Sequence, residues 1–269
     1  MQPVYLERPG PEPAARFAIL HPAQGARARG QVLYVHPLAE EMNKARRMVA
    51  RQARRLASQG WTVLLPDRLG CGDSPGDAAQ ASWQAWVDDV QAAAAWLQRR
   101  ESTAELWLWG LRAGALLALQ AGASLGCTNY LLWQPQLAGT MALQQLLRLR
   151  VAALALAGGA GATVASVRQQ IRAEGLVEVA GYGLSEGLVS GLEVAEAPAP
   201  PPGARVHWLE VAGSAELLPA SRRVADAWRA LGVDLQARAV AGPLFWQTTE
   251  IEDAPELWTA TDAAMGAAP

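Results

Sequence analysis

Hydrophobic and polar positions along the chain switch between two periods. QVLYVH (residues 31–36) is β-branched and aromatic with no polar face, the pattern of a strand covered on both sides in a parallel sheet. Over residues 42–59 the period changes: Ala45, Met48, Val49, Ala53, Leu56 and Ala57 recur at threes and fours, one buried stripe of a helix that stops at Gly60. The pair then repeats. WTVLLPD (61–67) predicts a buried strand, residues 83–99 a helix and LWLWG (106–110) a further strand. Residues 113–125 are small and apolar enough to lie as a helix against the sheet, and NYLLWQP (129–135) is another buried strand. Such alternation predicts a parallel sheet flanked by helices.

Residues 137–202 break the rhythm. They hold a leucine-rich helix around 141–149, a Gly/Ala stretch, and the loop AEAPAPPPG, whose prolines preclude regular structure. Strand and helix return with ARVHWLEV (204–211), a helix over 219–231, LQARAVAG (235–242) and a last helix starting near Pro255. The expectation is an α/β core in two parts, residues 1–136 and 203–269, with a small helical cap and Pro-rich return loop inserted at 137–202. Within the cap, residues 151–167 are uncharged between Arg150 and Arg168. That run is shorter than the roughly 20 strongly apolar residues a membrane span requires, and alanine and glycine contribute little transfer free energy. A cap helix or small-residue packing surface is expected there, and no membrane span.

Composition narrows the class. Of 269 residues, 51% are hydrophobic and 18% charged, which excludes disorder for most of the chain. A net charge of −2 supplies no global pull toward nucleic acid or anionic lipid. The two cysteines, Cys71 and Cys127, form no CxxC pair and no metal-ligand spacing with histidine, so reduced thiols and no metal or cofactor are expected. The start MQPVYLERPGPEP lacks the basic end and apolar stretch of a secretory signal. A cytoplasmic location follows as the expectation.

The turn after LWLWG reads G-L-R-A-G over residues 110–114. It resembles the G-x-S-x-G elbow of α/β-hydrolases, in which a tight strand-to-helix turn throws the central side chain out at the top of the sheet. The α/β-hydrolase fold is therefore expected, with Arg112 in place of the nucleophilic serine. A guanidinium stays protonated at physiological pH, so it can be neither acylated nor act as a base. The acid position after the strand that follows the cap falls on Glu216, in EVAGSAELLP. The histidine position after the last strand lies in AVAGPLFWQTTE, which contains none; the only histidines are His21, His36 and His207.

What remains are candidates. His36 closes the first strand where many such enzymes have a histidine-glycine pair before the oxyanion loop, although Pro37 follows here. Cys71, in the glycine-rich loop DRLGCGDS, is the one substitute thiol nucleophile, and its activation would need a base. Neither His21 nor His207 has an assigned role. Arg112 suits a carboxylate or phosphate near a helix N-terminus, or equally an internal ion pair with Glu40, Glu41 or Glu216. Leu38 and Ala39 of the oxyanion loop, Leu111 beside the apex, and Trp246 in PLFWQ complete the expected ligand-contacting set. Lys44, Arg46, Arg47, Arg51, Arg54 and Arg55 make the polar side of the first helix basic, a solvated face or a seat for an anionic partner. The tryptophans of LWLWG, NYLLWQP and PLFWQ are read as core, with some free to form a platform for sugar or acyl groups.

The stretches HPLAEEMNKARRMVA, LLPDRLGCGDSPGD, LWLWGLRAGALLA, LLWQPQLAG and GPLFWQTTEI together resemble the exosortase A system-associated hydrolases of the second type. That resemblance implies an α/β-hydrolase branch of bacteria that carry exosortase A and make exopolysaccharide, often beside a first-type hydrolase that keeps its serine elbow. It implies a context rather than a reaction, because the arginine elbow belongs to the pattern. Three readings follow. One is a non-hydrolytic ligand-binding or scaffolding protein, with Arg112 holding an anionic, acyl or sugar ligand. The second is an unusual hydrolase or acyl-transfer enzyme acting on an ester or thioester through Cys71, His36, or a water oriented by His36 or Glu216. The third is a subunit that completes a partner such as the first-type hydrolase.

Overall fold

Runs without a polar face become the strands at the middle of the sheet: β3 (Gly30–Val35), β5 (Leu106–Leu111) and β6 (Asn129–Trp133) are buried at every position. The computed structural model describes residues 1–7, 15–25, 28–101, 104–158, 161–213 and 216–266. With β1 (Gln2–Glu7), β2 (Ala15–His21), β4 (Trp61–Pro66), β9 (Arg205–Ala212) and β10 (Asp234–Ala241), these strands form an eight-stranded sheet of order β1-β2-β4-β3-β5-β6-β9-β10. From β4 to β10 every pairing is parallel; β1 and β2 close one edge as an antiparallel pair.

Helices cover both faces. On one lie α1 (Ala39–Ser58) and α8 (Pro255–Ala264), packed over Val32, Trp61, Trp107, Trp109 and Trp133. The six residues of the expected α1 stripe are all buried. On the other face α2 (Trp83–Arg100), α3 (Ala113–Leu125) and α7 (Pro219–Ala230) contribute to the larger cluster. The α1 face is aromatic: Trp109 meets Tyr34 and Trp133 with ring centroids 4.7 Å apart in each case, and Phe245 meets Trp246 at 4.9 Å, in tilted or edge geometries. Most of the tryptophans considered as a sugar or acyl platform therefore face the core.

Between β6 and β9 the chain leaves the sheet to form α4 (Gly139–Leu156), α5 (Val164–Glu174), the hairpin β7 (Leu176–Val179) and β8 (Tyr182–Ser185), and α6 (Glu186–Val194). The hairpin, not anticipated in the sequence, turns on Ala180 and Gly181, both with positive φ, the geometry of a type I′ turn. Arg168 of α5 binds Glu186 and Glu193 of α6 in forked pairs, with 2.9 Å from Nη2 to Glu186 and 2.8 Å to Glu193. Helix α4 runs seven residues beyond the expected leucine-rich stretch, to Leu156, which is 91% exposed. Among the described residues no helix is long and apolar enough to cross a membrane.

Candidate functional site

The turn from β5 into α3 places Arg112 at φ 55° and ψ −125°, a left-handed conformation that costs a non-glycine residue on the order of 1–3 kcal/mol. The structure over-determines it. Arg112 N donates to Trp133 O at 3.0 Å, while Arg112 O accepts from Ala115 N (3.0 Å) and Gln136 N (3.1 Å). The flanking glycines are required by space: a Cβ on Gly110 would lie 2.4 Å from Ala115 Cα, and one on Gly114 would lie 2.2 Å from Val35 O. The elbow is thus packed hard against β3 and tied to the end of β6.

At its apex the guanidinium is held through two of its nitrogens by the chain's own groups. Arg112 Nε donates to Glu41 Oε1 (3.2 Å) and Nη2 to Gln145 Oε1 (2.9 Å). Gln145 Nε2 in turn donates to Glu41 Oε1 (3.1 Å), and Gln136 Nε2 to Gln145 Oε1 (3.4 Å). The guanidinium carbon lies 5.4 Å from the Trp246 ring centroid. Five segments meet here: the first turn of α1, the elbow, the loop after β6, α4, and the loop after β10. The Arg112 and Glu41 side chains are only 12% and 8% exposed. Burial pushes the Glu41 carboxyl above its ordinary range, against the opposing charge and hydrogen bond of Arg112 and the hydrogen bond from Gln145. The cavity beside the network, lined by Leu38, Glu41, Gln136 and Gln145, is about 10 Å³, room for little more than one water.

Of the three carboxylates considered for Arg112, Glu41 is the one paired with it. Glu216 is exposed and pairs instead with Arg222, at 3.4 Å. The buried acid on β9 is Glu210, which accepts from Leu218 N (2.9 Å) and Ser221 Oγ at the start of α7. Leu38 caps α1 and is buried, Ala39 follows with φ 49°, and Trp246 lies buried beneath the guanidinium. Leu111, fully buried, belongs to the core on the α1 face.

His36 is buried beside Arg68, whose Nη2 donates to Nδ1 at 2.7 Å and to Pro37 O at 3.0 Å. Nδ1 also lies 2.9 Å from Pro37 O, and Nε2 is buried with no hydrogen-bond partner among the described residues. Burial, reinforced by the charge of Arg68, holds His36 far below the usual histidine range and therefore neutral. Cys71 lines a separate cavity of about 50 Å³ with Leu38, Ala39, Gly70, Trp86 and Tyr182. Burial pushes its thiol up, the opposite of an activated nucleophile, although Arg68 pulls in the other direction. His21 lies in β2, and His207 stacks on Trp107 at 5.1 Å. The basic side of α1 is largely paired: Arg47 and Arg51 bind Asp253, and Arg55 binds Asp262. Among the described residues no three His, Cys, Asp or Glu side chains cluster as a metal site.

Gln136 and Gln145 carried no sequence signal. Each is a polar residue in an otherwise apolar stretch, and only the packing of α4 over the elbow gives them a role.

A mostly parallel eight-stranded sheet, helices on both faces and a strained elbow between β5 and α3 define an α/β-hydrolase. More narrowly, the family model described as serine aminopeptidase, S33, matches residues 26–174, more than half of the chain, which belongs to that family. In fold the chain is similar to Est1E from Butyrivibrio proteoclasticus with bound ferulic acid (TM-score 0.64, 13% identity, 97% of each chain covered). It is also similar to the α/β hydrolase GrgF from Penicillium sp. sh18 (TM-score 0.64, 15% identity, 98% of this chain and 97% of that one). A third, XC6422 from Xanthomonas campestris, is described as an α/β serine hydrolase without lid (TM-score 0.59, 16% identity, 100% and 96% covered). At such identities the likeness concerns the fold. No curated protein matches the sequence.

Proposed function

We propose that this chain is a non-hydrolytic member of its family, a binding or scaffolding protein built on the hydrolase frame. The observation that carries the proposal is the engagement of Arg112 by Glu41 and Gln145 at the elbow apex. Acyl transfer needs a nucleophile and a base in mutual reach. Here the apex group cannot be acylated, and Trp246, in the segment where a histidine is expected, packs against it. None of the hydrogen bonds of Arg112 involves a histidine. An anionic, acyl or sugar ligand would enter by competing with Glu41 and Gln145 for the same guanidinium nitrogens, which makes binding selective for groups that match a bidentate donor.

The resemblance to second-type exosortase-associated hydrolases supports a place in exopolysaccharide processing, in the cytoplasm, with the first-type hydrolase as the partner to test by co-purification and native mass. The decisive experiment is hydrolysis of short- and long-chain p-nitrophenyl esters and acyl thioesters by wild type, Arg112→Ala, Cys71→Ala and His36→Ala. No turnover by any of them is expected. Wild-type turnover that disappears in Cys71→Ala or His36→Ala would replace the binding reading with that of an unusual hydrolase or acyl-transfer enzyme.

A further inference from the structure

The cap leaves one end of its first helix uncovered. Every buried residue of α4 lies at or before Leu147, although the helix runs on to Leu156. From Gln145, which meets the elbow, to Leu156 the helix rises about 16 Å, so its end stands well clear of that contact. Leu149, Val151 and Leu154 are half-buried against the core and fix which side turns outward. Ala152, Ala153, Ala155, Leu156 and Ala157 are exposed, Leu156 by 91%. Beyond Arg150 the helix carries no polar side chain. An apolar end held out in this way is an interaction surface, not a part of the core.

The charge beside this end has one sign. Arg148, Ala152 and Leu156 follow at i, i+4 and i+8 and share the outward side of the helix, with Arg150 next to them. Among the described residues neither Arg148 nor Arg150 has a hydrogen bond or an ion pair. No Asp or Glu occurs between Glu105 and Glu174, so up to the last residue of α5 the only charged side chains of α4 and α5 are arginines: Arg148, Arg150, Arg168 and Arg172. Glu186 and Glu193 of α6 are held by Arg168, and Arg172 lies 3.9 Å from the same Glu193. Glu174 ends α5, remote from the end of α4.

We propose that the end of α4 docks on an anionic lipid bilayer, with Leu156 and its neighbouring alanines entering the interface and Arg148 and Arg150 meeting lipid phosphates. From Val151 to Ala157 the helix rises about 9 Å, within the roughly 5–10 Å to which interfacial helices sink. The two arginines then lie at headgroup depth, their stems along the apolar boundary and their guanidiniums on phosphate. A protein surface is matched by polar groups, which this end lacks; the acyl boundary of a bilayer requires none. A second copy packed on the same side would set arginines against arginines with no carboxylate between them. One exposed leucine makes the attachment weak and reversible, and it is peripheral, not spanning. It is independent of the elbow and does not rest on the chain being non-hydrolytic.

The test is co-sedimentation of the full chain with vesicles of phosphatidylcholine alone and of phosphatidylcholine with about one-third phosphatidylglycerol. Half-binding to the anionic vesicles is expected at or below about 1 mM lipid, at least about tenfold tighter than to the neutral ones. Raising salt from about 50 mM to about 500 mM should release the chain. Arg148→Gln and Arg150→Gln should each weaken binding about fivefold, and more than about tenfold together. Leu156→Asp, which puts a charge into the acyl boundary, should weaken it at least about tenfold, while Leu231→Asp, at an exposed leucine at the end of α7, should leave it unchanged. All four positions are exposed or half-buried, and circular dichroism is expected to stay native. The proposal is overturned by absence of binding to anionic vesicles at about 1 mM lipid, by equal binding to neutral ones, or by binding that survives in folded Leu156→Asp. A dimer in native mass that Leu156→Asp splits, without vesicle binding, overturns it in favour of a second copy.

Discussion

Replacing Arg112 by methionine removes the charge at the elbow while keeping a side chain of similar length at the same strained φ, so the backbone cost cancels between wild type and variant. What is left is Glu41, 8% exposed and deprived of its cation. Removing one partner of a buried pair costs about 3–5 kcal/mol. Here the lower figure, about 3 kcal/mol, is expected at pH 8, because Gln145 Nε2 still donates to Glu41 Oε1 at 3.1 Å. The loss must depend on pH. Burial already raises the Glu41 carboxyl above its unfolded value, so over the interval between the two the folded state binds more protons than the unfolded one, and stability falls as pH rises. Losing Arg112 raises the carboxyl further and widens that interval upward. At pH 5, where Glu41 can take a proton in the variant, the cost should shrink to about 1 kcal/mol. Adding Glu41→Gln to the variant should recover about 2 kcal/mol at pH 8 and almost nothing at pH 5. Urea unfolding at both pH values, followed by tryptophan fluorescence, measures this. An equal loss at pH 5 and pH 8, or no recovery in the double variant, would refute the buried-pair account of the elbow.

Three further outcomes are expected. Gly114→Ala puts a Cβ 2.2 Å from Val35 O and 2.7 Å from His36 O, so it should cost more than about 3 kcal/mol or prevent folding, read from soluble yield and the urea midpoint. Arg168→Met frees Glu186 and Glu193, whose carboxyls Arg168 holds below their ordinary range by hydrogen bonding; both are about one-third exposed, so the loss should be about 1 kcal/mol, shrink in high salt, and vanish as pH falls through the carboxylate range. Cys71, its thiol pushed up by burial, should react with disulfide reagents at pH 8 at least about tenfold more slowly than free cysteine; a faster rate would mark an activated thiolate.

The strands most legible in the sequence were those in which burial left no choice. β3, β5 and β6 are covered on both faces, so they read as continuous apolar runs, and the glycines of GLRAG announce a turn that only glycine allows. Less visible were β1, whose positions are mostly exposed, and β2, which alternates between half-buried and buried positions with Arg16 on the buried side. The start of α1 was hidden for a related reason. Its first turn carries Glu40 and Glu41 ahead of the apolar stripe, and an acidic first turn normally faces water; Glu41 is buried only because Arg112 comes to meet it from 71 residues away. Arg112 could be found because it violates a motif. Glu41 was one of three carboxylates offered for it, but nothing in the spacing chose among the three, and Gln145 is brought to it by tertiary packing alone.

Reagents that trap serine hydrolases, such as fluorophosphonates, label the hydroxyl at the top of this elbow. With a guanidinium there, the elbow gives such a reagent nothing to attack, so on the proposed non-hydrolytic reading folded and abundant protein would stay silent in an activity-based profile of the cell that makes it. Its abundance is better followed by an antibody or by mass spectrometry, and an unlabelled band carries no information about whether the protein is present.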